Sequence, residues 1–99
     1  MTDAWFEFDA RHKPATCNAP AGRIVGTLHP DLDGGSYDLE FVIGQTTCAT
    51  ANTSSSSGAN VAVDTGHQCA GGVQNVSVRI NRTDSGGQRL QMAQPVCLA

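Results

Sequence analysis

The residues whose types and spacing come closest to a chemical site are two Asp-x-x-His elements, Asp9 with His12 and Asp64 with His67. Carboxylate and imidazole are good ligands for zinc or copper, and two such elements at strand ends could hold a metal singly or by meeting across a pseudo-twofold axis. The simpler reading is structural. Each aspartate ends its strand by accepting from a nearby backbone N–H, and each histidine stands in the exposed loop that follows. A second cluster, Asp31, Asp33 and Asp38, sets three carboxylates around Gly34-Gly35, a partial echo of a calcium loop. Calcium takes oxygen ligands from such loops, but the glutamate that closes an EF-hand loop at its twelfth position is absent, so a solvated hairpin turn is expected. Trp5, the single tryptophan, either anchors packing or stacks on a ligand ring. Phe6 and Phe8 share one strand face, so Trp5 points to the other: exposed, or covered by another subunit.

Catalysis has little footing. A hydrolase needs a nucleophile beside a base, or paired carboxylates. The histidines and serines follow no Gly-x-Ser-x-Gly or zinc-protease pattern, and the cysteines are assigned to cross-links. Three Asn-x-Ser/Thr sequences begin at Asn52, Asn75 and Asn81 and would be surface glycan acceptors in a eukaryotic secreted protein.

The elements that position these residues are strands. Alternation with period two runs through Phe6/Phe8, Ile24/Gly26/Leu28, Tyr37/Leu39/Phe41/Ile43, Val61/Val63, Val76/Val78/Ile80 and Leu90/Met92, the pattern of half-buried strands. Six strands are expected, over 4–9, 22–29, 36–44, 59–65, 73–81 and 88–96, in a small antiparallel sandwich or barrel. Turn residues at 30–35 and 81–87 would close two hairpins. The polar stretch 49–58, with its four serines, reads as a linker. It divides segments 4–48 and 59–97, which resemble each other: a strand ending in Asp, then His, Cys, a strand, Gly-Gly, a strand and Cys. Two pseudo-symmetric three-stranded repeats in a single domain, 1–99, account for the likeness.

Ninety-nine residues bury too little surface for a thin core to suffice alone. Four cysteines supply cross-links, and their spacing lacks the tight pairs of zinc sites. Placed about equally far from the two expected hairpin turns, Cys17–Cys48 and Cys69–Cys97 are the expected disulfides, with Cys17–Cys97 and Cys48–Cys69 the rival. Disulfides imply an oxidising compartment: extracellular, periplasmic or on a virion surface. Met1–Ala4 lacks the features of a signal peptide, and no apolar run reaches membrane-spanning length. The net charge of −3 and six scattered basic residues argue against nucleic acid. The expectation is a non-catalytic recognition or assembly module, either a surface or virion subunit or a sugar- or protein-binding domain. It needs no cofactor; calcium or a transition metal at the sites above is the exception, and a protein or carbohydrate surface or a second copy is the partner. A secreted hydrolase inhibitor is the alternative, and a small enzyme using an Asp/His pair comes third.

Overall fold

A computed structural model describes residues 1–66 and 68–98 of the chain. Among these residues seven strands form: β1 (Trp5–Phe8), β2 (Arg23–His29), β3 (Gly35–Ile43), β4 (Thr46–Ser55), β5 (Ala59–Asp64), β6 (Val73–Arg82) and β7 (Gln88–Cys97), with a 3-10 turn at Ala10–His12. They make two antiparallel sheets, one of three strands in the order β1-β2-β5 and one of four in the order β4-β3-β6-β7. The architecture is an all-β sandwich, and the sheets do not close into a barrel.

The alternation defines the core. Phe6, Ile24, Leu28 and Val61 face inward from the three-stranded sheet; Tyr37, Leu39, Phe41, Val76, Val78 and Ile80 face them from the other. Phe6 and Phe8 meet Phe41 edge to face, with centroids 4.9 and 6.1 Å apart, the arrangement that aromatic quadrupoles favour. Gly26 is the inward residue between Ile24 and Leu28. A Cβ there would collide with the Phe6 ring and the Glu7 carbonyl, so the missing side chain is what admits Phe6 to the core.

Four expectations are corrected. Residues 49–58 are no linker: the chain reverses at Gly44-Gln45, Gly44 at φ 62°, and returns as β4, paired along β3 from Ile43↔Thr46 to Gly35↔Ser55. Glycine at the first central position of a two-residue hairpin suits a type II′ turn. β4 escapes the alternation rule because its inward residues are small, Ala49, Ala51, Thr53 and Ser55. Residues 30–35 do not close a hairpin either. They carry the chain from one sheet to the other, so β2 and β3 are not paired, whereas β6 and β7 are. The two segments therefore carry different pairings, and the strand sets are not equivalent as the repeat reading required.

The disulfides follow from this. They are Cys17–Cys97 and Cys48–Cys69, with Cα separations of 5.3 and 5.5 Å, the rival pairing. The chosen pairing needed hairpin partners. Cys17 precedes a strand in one sheet while Cys48 lies in the other, and the β6–β7 register sets Cys97 against Val73 rather than Cys69. A bulge between Phe41 and Val42 leaves Cys48 as the extra residue of β4, turned inward. In the chain-entropy picture the links, spanning 80 and 21 residues, are worth about 4.5 and about 3.3 kcal/mol. Two disulfides fit an oxidising setting, and no helix among the described residues is long and apolar enough to cross a membrane.

Candidate functional site

The structure separates the residues that the sequence singled out. His12 is buried, 2% exposed, at the end of the 3-10 turn. Its Nδ1–H donates to the Cys97 carbonyl (2.7 Å) and its Nε2 accepts from the Val25 N–H (3.0 Å). Both ring nitrogens are engaged, and the acceptor role of Nε2 defines a neutral ring protonated at Nδ1. The exposed-loop expectation is thus corrected: His12 pins the turn against β2 and the end of β7. Asp9 does not face it as a ligand pair. Asp9 caps the turn, accepting from the Arg11 N–H (3.0 Å) and Arg11 Nε (2.9 Å), and Arg11 holds its carboxyl below the usual range. Asp64, at the end of β5, pairs with Arg23 at 3.3 Å. His67 lies outside the described residues. Among those described, no group of three His, Cys, Asp or Glu is placed to hold a metal ion.

The carboxylates of the 31–38 segment are also dispersed. Asp31 and Asp33 turn to Arg82, at 3.2 and 3.0 Å, and Asp84 completes the cluster at 2.8 Å. Asp31 also accepts from Thr2 Oγ1, the Asp3 N–H and Tyr37 Oη. These donors, the Thr2 hydroxyl foremost, hold its pKa down at about 2 despite its burial. The Arg82 guanidinium lies between the Asp31 and Asp33 carboxylates. Asp38 lies apart on the outer face of β3, where the Asn52 amide of β4, turned with its nitrogen toward the carboxylate, donates to it at 2.9 Å. Guanidinium–carboxylate geometry of this kind is a lock, and it ties the N-terminus to the crossover between the sheets.

One open surface is the outer face of the three-stranded sheet. Its side chains are the residues of odd parity on β1 and β2 and of even parity on β5, and the register stacks them into rows across the strands. Trp5 lies opposite His29; Glu7 lies opposite Thr27, which lies opposite Asn60; Val25 lies opposite Ala62, with Asp9 bonded to Val25 through its N–H (3.0 Å). Arg23 and Asp64 end the face. Trp5 is 43% exposed and stacks on the His29 ring, centroids 4.2 Å apart and planes 15° from parallel. His29 Nε2 donates to Glu7 Oε1 at 2.9 Å. One carboxylate oxygen is thereby oriented, while the second is left for another donor. Beside this group the short side chains Val25 and Ala62 floor a depression of about 470 Å³ walled by Glu7, Thr27, Asn60, Asp9 and Arg11.

Of this face only Trp5, Asp9 and Asp64 were legible as candidates. Glu7 could have been found, since it shares Trp5's parity one residue pair along. His29, Thr27 and Asn60 could not, because cross-strand register sets them beside Trp5 and Glu7. Comparison of the chain with protein-family models, curated proteins and solved structures returns no match.

Proposed function

We propose that this protein is a non-catalytic, extracellular saccharide-recognition domain that binds through the outer face of its three-stranded sheet. The observation that carries the reading is the exposed Trp5–His29 stack beside the polar row Glu7, Thr27 and Asn60. A sugar presents an apolar ring face and a rim of hydroxyls. An aromatic platform next to convergent hydrogen-bonding groups complements both. The charges support an uncharged ligand, since each arginine of the face has an opposite neighbour, Arg11 with Asp9 and Arg23 with Asp64, and the Glu7 carboxylate accepts from His29. The sandwich, cross-linked at Cys17–Cys97 and Cys48–Cys69, keeps the rows in register without a ligand, so little ordering entropy is lost on binding.

The test is a glycan array followed by calorimetry on the hits, with Trp5→Ala as the partner variant. Neutral oligosaccharides should bind, and Trp5→Ala should weaken them at least tenfold with an unchanged melting temperature. Absence of binding across neutral and acidic glycans, or hits indifferent to Trp5, would refute the assignment. The inhibitor reading has less support: in the 30–35 segment, an exposed turn that could present a docking loop, Asp31 and Asp33 are already engaged by Arg82, and the enzyme reading loses His12 to its structural bonds.

A further inference from the structure

An open strand edge presents unpaired N–H and C=O groups, a template for another strand, and proteins blunt such edges with charge, proline, bulges or short length. This sandwich has two side walls, where an edge strand of one layer lies beside an edge strand of the other: β1 with β7, and β5 with β4. The β1/β7 wall is blunted throughout. The Gln91 amide accepts from the Phe6 N–H (2.8 Å) and donates to the Phe6 carbonyl (2.9 Å), as a neighbouring strand would. Arg89 Nη1 donates to the Asp3 and Ala4 carbonyls, both at 3.1 Å. Pro95 lacks a donor, and a bulge interrupts β7 between Gln91 and Gln94.

The opposite wall has no comparable blunting among the described residues. β4 runs for ten residues, Thr46–Ser55, with no charge, no proline and no glycine, its one irregularity being the bulge at Cys48. From Thr46 to the end of β5 the single charged residue is Asp64, at the far end and paired with Arg23.

We infer that the β4/β5 wall is a self-association surface, on which β4 pairs antiparallel with β4 of a second copy about a two-fold axis perpendicular to the sheets. A two-fold contact sets each residue against its own neighbourhood, so a charged wall would repel itself and an uncharged one fits itself. The area suffices. The molecule extends 35 × 25 × 20 Å and a ten-residue strand is about 34 Å long, so a side wall of about 35 by 20 Å outlines at most about 700 Å² per partner, within the range of specific interfaces. The axis leaves the sheet normals parallel, so both outer faces of the three-stranded sheets look the same way, about one molecular width of 25 Å apart. Two such faces would engage one surface together. The self-association itself is independent of what the face binds.

Sedimentation velocity on the disulfide-intact protein, from roughly 1 μM to 1 mM where weak dimers dissociate, should show a monomer–dimer equilibrium. Thr50→Lys with Asn52→Lys on β4 should weaken it at least tenfold. Gln88→Lys with Gln94→Lys on β7 should leave it unchanged, and melting temperatures certify that both variants fold. At high concentration amide exchange should slow in β4 and not in β1. A monomer at every concentration overturns the inference, as does a dimer weakened by the β7 pair rather than the β4 pair. So does β4 protection that appears only on adding a different protein, which would assign the wall to another partner.

Discussion

Two polar regions hold most of the ion pairs among the described residues, and they are built on opposite terms. Around Arg82, four donors and three carboxylates saturate one another: Asp31 accepts from Thr2, Tyr37, the Asp3 backbone and Arg82, and the Arg82 side chain is only 14% exposed. On the outer sheet face the ion pairs are single, Glu7 is 59% exposed, and one of its oxygens has no donor among the described residues. A saturated cluster gains nothing from a ligand, whereas a half-satisfied row does. The two regions hold three carboxylates each, Asp31, Asp33 and Asp84 against Glu7, Asp9 and Asp64, so their pairing and not their number separates lock from face.

The sharpest way to break this comparison is to damage the locked groups and watch the face. His12→Ala removes a buried ring and leaves the Cys97 carbonyl and the Val25 N–H without their partner. It should cost about 3 kcal/mol in denaturant unfolding, while the folded fraction binds saccharide as the wild type does. Arg82→Met strands Asp31, Asp33 and Asp84 together and should lower the melting temperature by roughly 10 °C, again with affinity unchanged. Lost affinity at constant fold in either variant would dissolve the distinction between lock and face.

Acid sharpens it further. Asp31 titrates at about 2 in the folded protein against 3.8 ordinarily, so its contribution is complete above the unfolded value and is lost as pH falls through the folded one. Between about pH 4 and pH 2 urea unfolding should show a loss of about 2 kcal/mol attributable to this group, and Asp31→Asn should flatten that part of the profile. The smallest effect is on the face. Glu7→Gln keeps the shape and the acceptor oxygen but loses the charge-assisted bond to His29, and should reduce saccharide affinity about fivefold, roughly 1 kcal/mol, with no change in unfolding midpoint.

Much of the fold was legible because period-two alternation reports which face of a strand is buried, and six of the strands carry large apolar residues in that pattern. β4 was not legible for the same reason. Its inward positions hold Ala and Thr, which satisfy a thin edge layer without advertising it, so its serines and threonines resembled a linker. The disulfide pairing failed at one step: equal distance from a turn implies contact only if the turn closes a hairpin, and 30–35 crosses between sheets instead. Of the candidate residues, Trp5 was placed on the outer face by parity alone. His12 was misplaced because nothing local to Asp9–His12 tells that the ring meets Cys97, 85 residues away.

The sequence by itself determined the positions of six strands, the inward face of each and the presence of two cross-links, since these depend on residue type and local spacing. Only the tertiary structure decided the sheet order, the partner of each cysteine, the burial of His12 and the row that joins Glu7, Thr27 and Asn60. Those depend on register between strands distant in the chain, and register is set by packing of the whole core, which no local pattern encodes.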